Sequence, residues 1–378
     1  MQNSSDLNIF ILTYNTRVQI WGMTGEQRLR RQLSSISPDA EIISDPVSFS
    51  GNEIVILRDD VVYDPALLRG IIEHKDKLFV NSGKTPVAAN VSSEKLEKTI
   101  IWLKNEGDGP NLEKLGPAKT ASKYNEALRK KSSPDAYAIT AENKRDIEWA
   151  LYQNAYKGVT DIVTKYAWPV PAFHVTRLCA RFGISPNMVT SLGAVLMLAA
   201  LFLFWEGYYG AGLLAGWIMT FLDTVDGKLA RVTLTSSDWG NIFDHGIDLI
   251  HPPFWYIAWG IGLTQTGHDL APGMLTPLLS IMFASYVLGR LCEGYFMRRF
   301  GMHLHVWRKG DSTFRLISAR RNPNMIILTL FWAFQAPDIG LILVTLWHVL
   351  TLVIHLFQLV QAEIKAYGGN RITSWLDV

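Results

Sequence analysis

The stretch that decides the fold is DTVDGKLARVTLTSSDWGNIFDHGID, residues 223–248, which joins the end of one apolar run to the start of the next. Four of its five aspartates form two pairs, Asp223 with Asp226 and Asp244 with Asp248. Residues three or four apart lie on the same face of a helix. Because the connection between the two apolar runs is short, we expect two neighbouring helices whose carboxylates converge.

Converging carboxylates at a membrane edge repel each other, and partial dehydration opposes their ionisation. Divalent cations relieve both effects, and a site made only of carboxylates favours hard ions such as Mg²⁺, Mn²⁺ or Ca²⁺. Gly227 and Gly240 would let a nucleotide approach the backbone closely, and Arg231 offers a planar fork to a phosphate. Solvated acids at helix ends would explain one aspartate. They do not explain four at these spacings, with two glycines and an arginine between them.

Charge and hydropathy divide the 378 residues into two parts. Most charged residues precede about residue 165, and long apolar runs dominate from Met188 onward. We predict an α-helical integral membrane protein with six transmembrane helices, preceded by a soluble α/β domain. The fifth run is short for a span of roughly 20 residues, but Pro323 favours a helix start there. An even number of transmembrane helices also returns the C-terminus to the side of the membrane on which the N-terminal domain lies. The six runs are Met188–Trp205, Tyr209–Leu222, Ile242–Leu263, Leu275–Tyr295, Met325–Phe334 and Ile339–Val360.

The positions of the basic residues predict the topology. The expected far-side loops, around EGYYG, TQTGHDLAPG and QAPD, contain no lysine or arginine. The expected near-side segments contain Lys228, Arg231, Arg298, Arg299, Arg308, Lys309, Arg315, Arg320, Arg321 and Lys365. This positive-inside pattern predicts a multi-pass protein of the inner or plasma membrane, with both termini and the acidic cluster in the cytoplasm. The opening MQNSSDLNIF has no basic start and only a short apolar run, so we expect no signal peptide.

Residues 1–140 alternate short apolar runs with helical ones, which predicts a three-layer α/β domain with a mainly parallel sheet. We expect strands at LNIFILTY, AEIIS, EIVILR, KLFVN, PVAANV and AYAITAEN, and helices at TGEQRLRRQLSSI, DPALLRGIIEH and SSEKLEKTIIWLKN. Thr24 and Asp64 are expected to cap helices, and Pro65 suits a first helical position. GDGPNLEKLGPAKTASK is interpreted as a linker or an exposed excursion.

Residues 141–186 are predicted to form a juxtamembrane amphipathic helical segment between this domain and a membrane domain at 187–378. Its aromatic residues suit the membrane–water interface, although a helix packed on the soluble domain would use them equally well. These residues are Trp149, Tyr152, Tyr156, Tyr166 and Trp168. The two cysteines, Cys179 and Cys292, have no metal-ligand spacing and suggest no disulfide framework. A net charge of +2 and the lack of a known motif give no indication of nucleic-acid binding.

The acidic stretch resembles the signature of the CDP-alcohol phosphotransferase (CDP-alcohol phosphatidyltransferase) family. That signature reads D-x2-D-G-x2-A-R, eight residues, then G-x3-D-x3-D. Residues 223–248 match it at all eight fixed positions, and ISPNMVT at Ile184 to Thr190 resembles the start of the family's first span. The resemblance covers roughly Lys157 to the C-terminus and implies a six-helix membrane enzyme, which we expect to be a homodimer.

The resemblance also implies the chemistry. Asp223, Asp226 and Asp244 would ligate metal, and Asp248 would ligate a second metal and act as the general base. The CDP moiety would be held by Gly227, Ala230, Arg231 and Gly240. The implied cofactors are two Mg²⁺ or Mn²⁺ ions, with Ca²⁺ as an inhibitory occupant. The base would deprotonate an alcohol, whose oxygen attacks the β-phosphorus of a CDP-linked donor and releases CMP in phospholipid biosynthesis.

The substrates are left open by two further resemblances. FDHGID is similar to the choline/ethanolamine phosphotransferase branch, in which a CDP-linked polar alcohol donates to a lipid hydroxyl; His245 within it could shuttle a proton or bind phosphate, or point away. DSTFRLISARRNP resembles archaeal members with a cytidylyltransferase domain and favours CDP-diacylglycerol as donor. Arg320 and Arg321 are therefore candidates for binding an acceptor phosphate or headgroup. Arg290 and Glu293 form either an ion pair or part of the pocket.

The N-terminal domain resembles the nucleotidyltransferase-like domain of fused inositol-phosphate cytidylyltransferases. An active enzyme would carry a Gly-rich loop after its first strand, and TYNTRVQIWGMTG contains none. Asp59 and Asp60 could bind metal, but turn and capping roles are the favoured interpretation. We therefore expect an inactive regulatory or docking domain. The alternatives are a bifunctional cytidylyltransferase and phosphotransferase, and a non-catalytic membrane scaffold with a relic nucleotide pocket.

Overall fold

The computed structural model describes residues 7–14, 16–43, 52–122, 124–236 and 238–377, and for residues 238, 239 and 241–245 only the backbone. The chain divides into two compact units. The first comprises Met1–Glu126, Lys131–Ala155 and Val232–Leu234; the second comprises Ala127–Lys130, Tyr156–Arg231 and Thr235–Val378.

The first unit contains a six-stranded sheet in the order β2-β1-β3-β6-β5-β7. The strands of the chain are β1 Asn8–Leu12, β2 Glu41–Ile43, β3 Glu53–Arg58, β4 Val61–Tyr63, β5 Lys77–Val80, β6 Pro86–Ser92, β7 Glu113–Leu115, β8 Tyr124–Asn125, β9 Lys130–Lys131 and β10 Ala136–Ala138. The sheet is mainly parallel, as predicted, because β1, β2, β3, β5 and β7 run in one direction. It is nevertheless mixed, since β6 runs antiparallel to its neighbours β3 and β5. The connection from β5 to β6 is too short for a parallel crossover, which needs a dozen or more residues.

Helices cover both faces of this sheet, which confirms three layers. The helices are α1 Gly25–Ile36, α2 Pro65–Glu73 and α3 Leu96–Leu103. Along β3, Val55 and Leu57 join the core under α1 and α2, whereas Ile54 and Ile56 join the core under α3. This alternation follows from the two-residue period of a strand. The predicted caps are also present, with Thr24 in a capping box and Asp64 accepting a hydrogen bond from the Ala66 amide at 2.9 Å.

The segment interpreted as a linker or an exposed excursion is part of the folded domain, so the linker interpretation was wrong. It contains β7, parallel to β5 at the sheet edge, and the short helix α4 Pro117–Thr120. Leu115 is 5% exposed, and a Cβ on Gly70 would lie 1.9 Å from the Thr120 carbonyl oxygen. An edge strand with one inward apolar residue has too little hydrophobic pattern to be recognised among polar residues.

The segment 141–186 is helical but interrupted. It contains α5 Lys144–Asn154, a π-helical stretch Val163–Ala167 and α6 Pro169–Arg181. Within the first unit, Tyr152 is fully buried and stacks against Trp21 with ring centroids 6.3 Å apart. That residue therefore packs in a protein core and not at a membrane interface, whereas Tyr166 is 67% exposed.

The second unit is helical, and each of the six predicted apolar runs coincides with a helix to within one residue at its end. Its helices after α6 are α7 Pro186–Trp205, α8 Tyr209–Val232, α9 Asp238–Gly262, α10 Leu275–Phe300, α11 Lys309–Phe314, α12 Arg321–Ala333 and α13 Pro337–Tyr367. In the described part of the chain, three of them are long and apolar enough to cross a membrane: α7, α10 and α13. Many outward side chains are apolar, such as Val195 at 62% and Phe202 at 63% exposure, as expected of a protein that faces lipid.

Candidate active site

The first acid pair lies near the C-terminal end of α8. Asp226 is 4% exposed, and both of its carboxylate oxygens accept hydrogen bonds. The Thr190 hydroxyl on α7 donates to Oδ2 at 2.6 Å, and the Gly227 amide donates to Oδ1 at 2.5 Å. Asp223 lies one turn earlier on α8. The resemblance to the family signature did not single out Thr190, although it lies within ISPNMVT, and its contact explains how α7 orients an acid on α8.

Asp223 and Asp248 converge, as the spacing predicts, and they do so on a cation. Nη2 of Arg321 lies 2.6 Å from Asp223 Oδ2, and Nη1 of the same guanidinium lies 2.5 Å from Asp248 Oδ1. Arg321 is at the first position of α12, so three helices meet at this point. Paired, charge-assisted contacts of this kind fix the geometry of both carboxylates.

A polar cavity of about 190 Å³ lies beside these acids. Among the described residues that line it, seven are basic: Arg129, Lys157, Lys228, Arg231, Arg315, Arg320 and Arg321. Three of the described lining residues are acidic: Asp161, Asp223 and Asp248. The excess of positive charge in a concave site favours a ligand that carries several negative charges.

Two charged residues of the cavity differ in whether the protein already supplies their hydrogen-bond partners. Asp161 is occupied by its neighbours, because the amides of Val163 and Thr164 and the Asn322 side chain all donate to its Oδ1. Arg315, in contrast, has buried Nε and Nη1 atoms with no hydrogen-bond partner among the described residues. Burial lowers the pKa of the Arg315 guanidinium. An anion in the cavity would offset that cost.

A second ionic network holds Arg320. Glu293 accepts from Arg290 at 2.9 Å and also contacts Arg320 and His305. The ligand atoms of Glu293, His305 and His355 lie within 4.8 Å of one another, which is compact enough for a metal ion. Two guanidinium groups already neutralise the single carboxylate, however, so this cluster is better suited to anchoring Arg320. The Arg290–Glu293 ion pair is therefore present, and Arg320 reaches the cavity from it.

The other predicted site residues fall in three groups. Gly227 and Arg231 line the cavity, and a Cβ on Gly227 would lie 3.1 Å from Arg231 Nη2. Ala230 and Gly240 are not among the described lining residues. The side chains of Asp244 and His245 lie outside the described part of the structure. Arg129 and Lys157, which come from a distant part of the chain, carried no sequence pattern that could have identified them.

In the first unit, Arg58 occupies the carboxyl ends of β1 and β3, where open α/β sheets bind ligands. Its guanidinium lies 4.3 Å from the centre of the Tyr14 ring and forms two hydrogen bonds to Asp60, at 2.9 and 2.7 Å. Asp59 accepts from the Tyr14 amide at 2.7 Å, and burial raises its pKa. Both acids thus serve the local structure, as the favoured interpretation expected.

Divalent cations fit the residues of the acid cluster. A guanidinium already bridges two of the carboxylates, so their oxygens point toward a common position that attracts positive charge. Carboxylate oxygens are the donors that Mg²⁺ and Mn²⁺ prefer. Asp223, Asp226 and Asp248 are the described residues that would hold such ions.

Comparison with known proteins places this site in a family. Residues 183–356 match the sequence model of the CDP-alcohol phosphatidyltransferases. The archaetidylinositol phosphate synthase of Pyrococcus horikoshii is 27% identical over 191 residues, which cover 50% of this chain and 90% of that protein. A CDP-alcohol phosphatidyltransferase class-I family protein of Schizosaccharomyces pombe is 30% identical over 131 residues, 30% of this chain and 33% of that protein. Residues 183–356 therefore form a CDP-alcohol phosphatidyltransferase domain.

Proposed function

We propose that the protein transfers a substituted phosphate group from a CDP-linked donor to an alcohol, releasing CMP, in phospholipid biosynthesis. The observation that carries this proposal is the position of Asp223 and Asp248. They share one cation at the edge of a cavity whose other charged walls are mostly basic. Such a site can hold a pyrophosphate and metal ions together, as transfer from a CDP-linked donor requires.

The proposed reaction needs one base. Asp248 accepts the proton of the acceptor hydroxyl, and the oxygen forms a bond to the β-phosphorus of the donor. The bond from that phosphorus to the bridging oxygen breaks, and CMP leaves with the electron pair. Arg231, Arg315 and Arg320 would bind phosphate oxygens and stabilise the charge of the leaving group. No covalent enzyme intermediate is needed.

Two divalent ions are proposed as cofactors, held by Asp223, Asp226, Asp244 and Asp248. Bound there, they would neutralise negative charge that builds up on the phosphate oxygens. Arg320 and Arg321 remain proposed phosphate ligands, and His245 a proposed proton shuttle. Ala230 and Gly240 remain proposed contacts of the CDP moiety.

We also propose the finer organisation of the protein. Six spans, with α8, α9 and α12 added to the three apolar helices, would place both termini and the acid cluster in the cytoplasm according to the positive-inside pattern. Residues 1–140 would be a nucleotidyltransferase-like domain without activity, in a regulatory or docking role, since Arg58 occupies the ligand position at the sheet edge. A juxtamembrane segment at 141–186, a membrane domain at 187–378 and a homodimer complete the proposal.

The proposed function is tested with purified protein in Mg²⁺ and a panel of substrate pairs. The pairs are CDP-choline or CDP-ethanolamine with dioleoylglycerol, and CDP-diacylglycerol with polar or phosphorylated alcohols. At least one pair should release CMP in an amount equal to the new lipid product. Release by none of the pairs, from protein that still binds CDP, would favour the alternative of a non-catalytic scaffold.

A further inference from the structure

Strands β8 and β9 pair with each other and are joined by a turn at residues 126–129, so they form a hairpin. Its tip, Ala127–Lys130, belongs to the second unit, although the chain on either side of the tip belongs to the first. Arg129 of the tip lines the polar cavity beside the acid cluster. Because Arg129 lies outside residues 183–356, a residue from outside the CDP-alcohol phosphatidyltransferase domain forms part of the cavity wall.

The hairpin tip is fixed against a nearby glycine of the second unit. The Gly158 amide donates to the Leu128 carbonyl at 2.8 Å. A Cβ on Gly158 would lie 2.6 Å from the Arg129 carbonyl oxygen, so the two backbones touch at a place where only a glycine fits. Close to Gly158 in the chain, Lys157 and Thr160 line the same cavity. The contact with Gly158 therefore holds Arg129 at the cavity wall.

Arg129 occupies a backbone conformation that arginine rarely adopts. Its φ is 50°, in the left-handed region that favours glycine. A glycine would adopt this turn without strain, so the arginine side chain is not needed for the conformation of the hairpin. Residues in strained conformations cluster at ligand sites, where the side chain has a role that outweighs the strain. The strained backbone and the position at the cavity wall together indicate a ligand for the Arg129 guanidinium.

We propose that Arg129 is a binding residue for the pyrophosphate of the CDP-linked donor. A guanidinium offers two parallel N–H donors to phosphate oxygens, and its charge in a concave site attracts a polyanion. The inference rests on the proposed function and extends it, because the proposed reaction places the pyrophosphate of the donor in this cavity. The domain at residues 183–356 alone would then lack one of the groups that bind the donor.

Arg129→Gly tests the inference, because it removes the guanidinium and relieves the strained backbone together. In the purified full chain, affinity for CDP in Mg²⁺ should fall roughly tenfold, as the loss of one charge-assisted hydrogen bond predicts. The melting temperature should change little, since relief of strain offsets the added freedom of glycine in the unfolded chain. Arg129→Lys keeps the charge and should lose less affinity for CDP than Arg129→Gly.

Lys84→Gly is the matched control. Lys84 is an exposed basic residue with φ of 62° between β5 and β6, and it is not among the described residues that line the cavity. This variant removes the same charge from the same kind of backbone position, so its melting temperature and its affinity for CDP should both stay close to those of the wild type.

Unchanged CDP affinity in Arg129→Gly, or an equal loss in Lys84→Gly, would overturn the inference. A marked fall in the melting temperature of Arg129→Gly would also overturn it, because the loss of affinity would then reflect the fold. A change confined to the KM of a phosphorylated acceptor would assign Arg129 to the acceptor and contradict the inference as well.

The binding measurement uses no acceptor, so its result does not depend on turnover. A tenfold loss of CDP affinity in Arg129→Gly, with no CMP release by the wild type from any substrate pair, would leave the role of Arg129 standing and remove the proposed function. CMP release by the wild type, with CDP affinity unchanged in Arg129→Gly, would do the reverse.

Discussion

Asp248→Asn should bind CDP in Mg²⁺ nearly as well as the wild type but release CMP roughly 10² to 10⁴ times more slowly. The amide keeps the shape of the side chain and can still offer an oxygen to a cation, but it cannot accept the proton of an alcohol. An alcohol that keeps its proton is a poor nucleophile toward phosphorus, so the substitution lowers the rate of CMP release and not the affinity for CDP. CDP titration and initial rates of CMP release measure the two effects separately.

Asp226→Asn provides the contrast. Asp226 is buried between the Thr190 hydroxyl and the Gly227 amide, and its proposed role is to hold metal. Removing its charge should weaken CDP binding and turnover together. Asp269→Asn, at an exposed acid in a predicted far-side loop, is the control and should change neither. The assignment of roles fails if Asp248→Asn loses CDP binding as severely as Asp226→Asn, or if it turns over within a few-fold of the wild type.

Removal of divalent metal should abolish CMP release. Converging carboxylates need positive charge, and a pyrophosphate adds further negative charge to the same site. Excess EDTA should reduce turnover to background, and added Mg²⁺ or Mn²⁺ should restore it, with Ca²⁺ binding but not supporting activity. Full activity in EDTA, with metal shown to be absent by elemental analysis, would end this part of the proposal.

Arg321→Ala should make the protein's stability depend on metal. In EDTA, the variant leaves Asp223 and Asp248 facing each other without a cation, and we expect its melting temperature to fall by roughly 3–10 °C. Mg²⁺ should recover most of that loss and should stabilise the variant more than the wild type. Arg299→Ala removes an exposed ion pair with Glu363 and should change the melting temperature little. A melting temperature of Arg321→Ala that is the same in EDTA and in Mg²⁺ would show that the carboxylates do not hold the ion.

Local patterns in the sequence predicted much of this structure. Thr24 and Asp64 cap their helices as expected, because capping depends on residues within one turn. All six apolar runs are helical, since continuous apolar runs of this length leave few alternatives. The pairing of β6 with β3 and β5 was missed because strand order depends on distant residues. The strand around Leu115 was not predicted, because one buried apolar residue does not produce the alternating apolar and polar pattern by which a strand is recognised.

In the candidate site too, features that depend on nearby residues were predicted and features that depend on distant residues were not. The signature placed Asp223 and Asp248 on neighbouring helices at fixed spacing, and they do converge. It gave no indication that Arg321, 73 residues after Asp248, bridges them, because no periodicity links α12 to α9. The basic walls likewise combine Arg129, Lys157 and Arg315, which are close only after folding. Sequence thus predicted the acids together with Arg231, Arg320 and Arg321, and the structure adds Arg129, Lys157 and Arg315 to the site.

The central claim is that phosphate transfer occurs at the β-phosphorus of a CDP-linked donor, and one labelling measurement tests it most directly. A donor carrying ³²P at the phosphorus attached to its alcohol is incubated with the protein, Mg²⁺ and the acceptor. All transferred label should appear in the lipid product and none in CMP. Label recovered as the phosphorylated alcohol, with no labelled lipid, would show hydrolysis or attack at the other phosphorus and would contradict the account.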